Sequence, residues 1–475
     1  MTNSECEPIP SVPTWPVLGA LPYVITREGV VPGLSRMANR FRREGIFRVP
    51  LPGGTDLTFV CNADLAAEVV DDARWEKVLD PFMLRVRLLS GDGLFTAHSD
   101  EEAWSVAHRV LAPAFSGSAM ADYFDAKLDV LNVLLDCWRR ADAPVDVVGD
   151  TIKLTLETIS LAGFDHRFGT FERPQLDPFL VALARGGQEI VDGAFRPRLS
   201  TWYESRKQRA FERDVAELHG LVDPVVAARR ATPRAAWPND LLSRMLSSPD
   251  PKTGEMLSDA NVRYQILTFL IAGHETTAGL LALALHYVAR DPALADSLRA
   301  EADEVVGRRA PRFEDVRALA LSRRVLDETL RLHPTLPFIS RGPKEDVRLG
   351  GRYDVRRGQA VALLLTAIQQ DPAVWEDPLR FDPDRFLPER ARKRPAHAYK
   401  PFGVGRRTCL GRSFALVEAT LALTMIAQQF EFGDPGPLRL ALSPVPRPRD
   451  FRLRLRARSA RGADARGQAQ HANPA

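Results

Sequence analysis

The chain has 475 residues, 45% of them hydrophobic, enough to build a large core. Its 64 basic and 61 acidic side chains leave a net charge of +3, too close to neutral for the strongly basic footprint of a nucleic-acid binder. The four cysteines, Cys6, Cys61, Cys137 and Cys409, stand far apart, which excludes a disulfide framework and a C-x-x-C metal site and fits a reducing cytoplasm.

The chain opens Met-Thr-Asn-Ser-Glu-Cys-Glu-Pro, without the basic start and apolar core of a leader peptide. No uninterrupted run of about 20 apolar residues marks a membrane anchor. Without repeats or a Ser/Gly linker, one domain over residues 1–455 is expected, working as a monomer. Residues 9–24 are proline-dotted and apolar and read as a surface strap. Residues 46–61 alternate around Pro52-Gly53-Gly54, a hairpin pattern. From 62 to 335 most segments read as helix. One opening near Asp100 carries Trp104 and His108 one turn apart, and residues 186–240, charged with scattered aromatics, read as lid helices. The longest helix opens at Ser258-Asp259 and stops at Asp291-Pro292, about 48 Å at 1.5 Å per residue. A shorter one covers 322–332. Residues 338–366 hold Gly-Gly and Arg-Gly turns between apolar runs, hence a small sheet. An irregular stretch runs to Gly405, a final helix spans 413–430, and residues 456–475 read as a disordered tail. The fold class is therefore mainly α with a small β subdomain.

Four constellations carry chemistry. Cys409 sits in Pro401-Phe402-Gly403-Val404-Gly405-Arg406-Arg407-Thr408-Cys409-Leu410-Gly411, just before the last helix. A lone cysteine is commonly a buried structural residue. Here Gly403, Gly405 and Gly411 let backbone and a flat ligand approach, and the partial positive charge of the helix N-terminus favours a thiolate. Such a thiolate can ligate haem iron. Phe402 would shield the sulfur, and Arg407 could pair with a haem propionate.

The second is Ala272-Gly273-His274-Glu275-Thr276-Thr277, in the middle of the longest helix. Ala272 and Thr276 share a face, and Gly273 adds no side chain, so a planar ligand or O₂ could press against this turn. Thr276 can donate a hydrogen bond to dioxygen and Glu275 can feed protons. The plain alternative is a core or membrane helix with a polar kink. Third, Glu328 and Arg331 pair at i,i+3, an ordinary surface ion pair unless Arg385 of Phe381-Asp382-Pro383-Asp384-Arg385-Phe386 joins a buried triad. Fourth, Trp104 and His108 are either half-buried core residues or donors to a propionate.

Together these motifs resemble the cytochrome P450 superfamily, from about Pro10 to Leu455. More narrowly, 91–96, 263–277 and Lys400-Pro401-Phe402-Gly403 look like the haem domain of self-sufficient bacterial fatty-acid hydroxylases. The resemblance implies haem b (iron protoporphyrin IX) held between the long central helix and the cysteine loop, with the axial thiolate from Cys409 and O₂ as co-substrate. It implies that Phe95 gates the substrate, that Leu89, Ser90, Ile271, Ala272, Leu336 and Phe338 line the pocket, and that Trp104, His108 and Arg407 hold the propionates. The implied reaction inserts one oxygen atom into a C–H or C=C bond of an apolar small molecule, fatty-acid-like or terpenoid- or polyketide-like. A peroxide-driven peroxygenase and a non-enzymatic haem binder are the alternatives.

Two departures stand out. The relatives carry a flavin reductase on the same chain, whereas this one ends at Ala475, so electrons are expected from a separate flavodoxin- or ferredoxin-type partner and its NAD(P)H-linked reductase. The Arg and Tyr that anchor a substrate carboxylate in the relatives are matched by Gly54 and Thr58. Arg42, Arg43 or Arg48 could compensate. Asp384 stands where the family often has Glu. Arg390, Arg392, Lys393 and Arg394, with Lys400, Arg406 and Arg412, could form a basic face for an acidic electron donor.

Overall fold

The computed structural model describes residues 7–26, 29–52, 56–173, 177–194, 201–442 and 445–458. The hairpin of β1 (Ile46–Pro50) and β2 (Asp56–Val60) is followed by β3 (Trp75–Lys77) and α1 (Pro81–Ser90). Then come α2 (Glu102–Leu111), α3 (Phe124–Arg139), α4 (Val147–Phe164), α5 (Pro178–Ala194) and α6 (Thr201–Ala231). The longest described helix is α7 (Asp259–Arg290), and α8 (Ala320–Leu332) precedes β4 (Phe338–Pro343) and β5 (Val361–Leu364). The cysteine-following helix α9 (Arg412–Gln429), β6 (Phe430–Phe432), β7 (Pro446–Pro448) and β8 (Leu455–Ala457) close the framework, with shorter elements between.

Local chemistry explains the main boundaries. The Ser258 side chain accepts the Asn261 N–H at 3.2 Å and so satisfies one free donor of α7. At the other end Asp291 leaves the helical region before Pro292, as residues preceding proline tend to do. α7 is long and apolar enough to cross a membrane, but most of its apolar window is buried inside the protein. It packs along α4, α9 and α8 as the core of the helical half. Where α7 crosses α4, an added Cβ at Gly273 would meet Ile159 at 3.3 Å, so the space left by that glycine is taken up by a helix contact. Thr155 of α4 donates to the His274 carbonyl at 2.9 Å across the same crossing.

The sheet has the order β1-β2-β5-β4-β3. β1 and β2 pair antiparallel with Arg48 opposite Thr58, and β2 pairs parallel to β5 with Thr58 opposite Val361. Ile46, Phe47 and Val49 are buried while Arg48 points to solvent, the near-alternation that a half-buried hairpin requires.

Several expectations need correction. The strap over 9–24 is partly core: Val12 and Ala20 are fully buried, and the Val12 N–H bonds the Arg48 carbonyl at 2.8 Å. The last helix stops at Gln429, and Phe430 opens β6. β8 pairs with β6 through Leu455↔Phe432, so the expected tail from Arg456 starts too early; residues 459–475 lie outside the described residues. Gly54 also lies outside them. β3 carries no sequence signal for a strand; it forms because Trp75, fully buried, pairs opposite Pro343 at the sheet edge.

Candidate functional site

The cysteine loop is built by backbone bonds. The Cys409 N–H donates to the Phe402 carbonyl at 2.7 Å, and Lys400 N–H is taken by Gln369 at 3.0 Å. Gly405, at φ +61, leaves room for the Asp72 carboxylate, which accepts the Arg406 N–H at 2.6 Å and an Arg341 guanidinium N–H at 2.7 Å. The backbone N–H groups of Gly411 and Arg412 point at Cys409 Sγ and, with the Arg412 charge, favour the thiolate. Burial outweighs them and pushes the thiol above its ordinary value. The expected pull of the helix end toward the thiolate is present, but desolvation opposes it. Cys409 is nevertheless solvent-accessible.

Ala272 is exposed although it lies midway along the otherwise buried α7, so this turn faces an interior cleft. Thr276 Oγ1 donates to the Ala272 carbonyl at 2.7 Å. Glu275 lies 3.7 Å from Arg447 of β7, both side chains partly exposed. His274 is buried, with Nδ1 on the Leu270 carbonyl at 2.5 Å, and desolvation pushes its pKa down.

Cations gather at the rim. The Arg407 guanidinium lies 4.0 Å over the Trp104 ring, which stacks on His108 at 4.8 Å. Arg407 donates to the carbonyls of His98 (2.8 Å) and Leu94 (3.4 Å), and Lys77 donates to the Phe95 carbonyl. Neither cation forms an ion pair with a carboxylate among the described residues. Desolvation, followed by repulsion from Arg407, pushes Lys77 down to about 7. Desolvation, then Arg406, pushes Arg407 down to about 10. Desolvation and the charges of Arg406, Arg407 and Arg109 push His108 down as well. Two desolvated cations without an anion are costly. A ligand carrying two carboxylates would relieve that cost, and an iron porphyrin ligated by Cys409 would meet both demands, so the residues present fit haem. Sequence reasoning missed Lys77; a lysine in a three-residue strand carries no signal of its own.

The pocket residues divide. Phe95, Ile271, Leu336 and Phe338 are half-buried, with Phe338 edge-on to Phe59 at 6.0 Å. Leu89 and Ser90 are fully buried, and Ser90 Oγ is committed to the Val86 carbonyl and Thr96 Oγ1, each at 3.1 Å. Core packing at the end of α1 encloses both side chains.

Glu328 and Arg331 are fully buried and joined by two bonds of 2.6 and 2.7 Å, not a surface pair. Arg385 Nε lies 3.4 Å from Glu328. Arg331 also donates to the carbonyls of Gln369, Pro378 and Arg380, so it clamps the irregular stretch leading to the cysteine loop. The basic face needs one correction. Arg394 is tucked 4.2 Å over Trp375 and 4.6 Å over Phe386 and donates to the Arg385 carbonyl, so it serves packing. Arg392, Lys393, Arg406 and Arg412 are exposed. Lys400 and Arg412 line a cleft of about 410 Å³ with His397, Tyr399, Phe402 and Thr408.

The comparisons with known proteins agree with this geometry. A family model described as Cytochrome P450 matches residues 9–438. The chain is 40% identical over 430 residues to bifunctional cytochrome P450/NADPH--P450 reductase 2 of Bacillus subtilis, covering 90% of this chain and 40% of that protein. It is 37% identical over 428 residues to a self-sufficient cytochrome P450 monooxygenase of Phanerodontia chrysosporium, covering 89% and 40%. The chain thus spans about two-fifths of the length of these curated relatives. The crystal structure of the cytochrome P450DA heme domain superposes with a TM-score of 0.91 at 42% identity, covering 96% of this chain and 98% of that one. With most of its length matched in sequence and in fold, this chain belongs to the cytochrome P450 family.

Proposed function

We propose that the chain is a haem-thiolate monooxygenase. The reaction takes RH, O₂, two electrons and two protons to ROH and water. When bound, the haem supplies dioxygen binding and activation at iron held by a thiolate. The chain's own residues do the rest. Cys409 provides the thiolate, shielded by Phe402 on the loop that Arg331 helps to hold. Lys77, Arg407, Trp104 and His108 supply positive charge and ring N–H donors for the propionates. The observation that carries the reading is this pairing of a desolvated cysteine with two cations that form no direct ion pair among the described residues.

Thr276 stores its hydroxyl proton on the Ala272 carbonyl and, by rotating away, can donate into the cleft. Glu275 stays in touch with solvent beside Arg447 and can pass protons inward. Phe95, Ile271, Leu336 and Phe338 give an apolar wall that excludes water and orients the substrate. Of the arginines that could take over the carboxylate anchor, Arg48 lies 3.3 Å from Asp56 and Arg42 donates to Asn39, so these two are already engaged. Neutral apolar molecules are therefore the preferred substrates over free fatty acids. Electrons come from an NAD(P)H-linked flavodoxin- or ferredoxin-type donor docking on Arg392, Lys393, Lys400, Arg406 and Arg412. Unpaired Cys61, Cys137 and Cys409 fit a cytoplasmic setting.

The test is spectral. Reduced, haem-loaded protein mixed with carbon monoxide should absorb at about 450 nm, the mark of a thiolate ligand. A band at about 420 nm in folded protein overturns the assignment. Titration with hexadecanoic acid, its methyl ester and a sesquiterpene should give a larger low-to-high-spin change for the neutral molecules.

A further inference from the structure

A chain of amides rising from α7 holds the loop that carries Phe95. Gln265 is fully buried. Its Oε1 accepts the Leu94 N–H at 3.0 Å and its Nε2 donates to Asn261 Oδ1 at 3.0 Å. Asn261, one turn earlier, donates Nδ2 to Asp92 Oδ1 at 2.9 Å. The orientation of both amides is forced: a backbone N–H can only donate, so Gln265 must offer it oxygen, and a carboxylate can only accept from Asn261 nitrogen. Two side chains of α7 therefore grip Asp92 and Leu94 on either side of Gly93.

The loop also lies too close to α7 for any other fit. A Cβ at Gly93 would meet Thr268 Oγ1 at 2.3 Å, and one at Gly91, where φ is +50, would meet the Tyr264 ring at 2.4 Å. On the opposite side Lys77 holds the Phe95 carbonyl and Arg407 reaches the Leu94 carbonyl. Both peptide groups of Phe95 are thus anchored by groups distant in sequence, and only the ring is left to turn. Asn261, Gln265, Thr268, Ala272 and Thr276 follow one another at steps of three or four residues. They form one stripe along α7.

We propose that Gln265 is a positioning residue for Phe95. Through the Gln265–Asn261–Asp92 amide chain, α7 sets where the Phe95 ring stands in the cleft and keeps it in register with the Ala272–Thr276 turn on the same stripe. The substrate atom presented for oxidation then depends on a residue that never touches the substrate. The inference rests on the reading of Phe95 as a wall of the substrate space.

The test compares two haem ligands, imidazole and 4-phenylimidazole, titrated into the haem-loaded full chain and followed by the Soret shift. Imidazole is too small to feel the Phe95 ring, whereas the phenyl group of the larger azole needs the space beside it. Gln265→Met keeps the length of the side chain and removes both hydrogen bonds. It should change the ratio of the two affinities by about fivefold, the worth of one neutral hydrogen bond, with the carbon monoxide spectrum unchanged. In a Phe95→Ala background the same substitution should leave the ratio as it is. Asp92→Ala, at the outer end of the chain, should shift the ratio less and in the same direction, and it decides the matter should Gln265→Met fail to fold. If Phe95→Ala alone leaves the ratio unchanged, the reading of Phe95 falls. If Phe95→Ala shifts it while Gln265→Met and Asp92→Ala do not, or if Gln265→Met acts equally without the ring, the positioning role falls.

Discussion

Cys409 and Thr276 are residues whose chemistry depends on what surrounds them. The sulfur is held by three consecutive constraints: a backbone bond to Phe402, N–H groups of Gly411 and Arg412, and desolvation that works against its charge. Thr276 already spends its proton on a carbonyl one turn back. Thr276→Ala should leave NAD(P)H consumption in place and cut product formed per NAD(P)H by about a hundredfold, the lower end of what a positioned proton donor contributes. Unchanged coupling would remove the role of Thr276. His333 is a residue with a pH signature. Its Nε2 meets the Tyr287 hydroxyl at 2.8 Å, and burial, with Arg331 and His286 nearby, pushes it down to about 4. The unfolded chain protonates this imidazole near the ordinary value of about 6.5. Its contribution to stability is therefore whole above that pH and is lost as pH falls from there toward 4, on the order of 3 kcal/mol in all. Denaturant midpoints measured over that window should drop for the wild type and flatten for His333→Phe.

Between elements, one buried pair breaks the usual rules. Lys127 of α3 and Glu418 of α9 are almost completely buried, and Lys127 Nζ and both Glu418 carboxylate oxygens lack hydrogen-bond partners among the described residues. Lys127 Nζ lies 2.7 Å from the centre of the Phe414 ring. Desolvation pushes the lysine down to about 7 and the carboxyl up to about 7. Each shift is destabilising, since each disfavours the form that water would keep charged. Lys127→Met with Glu418→Gln should be neutral or stabilising by about 1–4 kcal/mol, and Lys127→Met alone should be less stable than the double variant, because it leaves Glu418 without its through-space partner. Thermal melts of the three proteins decide it, and a double variant clearly less stable than the wild type would show the pair to be favourable. The sequence gives no hint of this pair, because 291 positions separate its members and neither has an oppositely charged partner one helical turn away on its own helix. Arg331 differs: its partner Glu328 is three residues away, so the pairing was legible, though not its complete burial beneath Gln369, Pro378 and Arg380.

Across the whole molecule the net charge is only +3, yet five basic side chains cluster in one segment. Arg392, Lys393, Lys400, Arg406 and Arg412 belong to the segment that runs into the cysteine loop and helix, and the cleft of about 410 Å³ lies there too. An acidic electron donor would be steered to that surface, and the rate of first-electron transfer should fall as salt shortens the Debye length from about 30 Å at 0.01 M to about 8 Å at physiological strength. Lys393→Glu should weaken that salt dependence. A rate indifferent to salt in the wild type would remove the docking surface.

What could be read along the chain was whatever a short window of backbone chemistry settles. The Ser258 cap, the stop at Asp291-Pro292, the β1–β2 hairpin and a cysteine set among glycines before a helix each depend on neighbours a few residues apart. Burial and partnership between distant segments belonged to the tertiary structure alone. It enclosed Leu89 and Ser90, drew Arg394 onto Trp375, brought Lys77 beside Arg407 and laid Gln265 against Leu94. The physical reason is desolvation: the energy of a charge or an amide is set by which distant atoms exclude water from it, and no local pattern of residues carries that information.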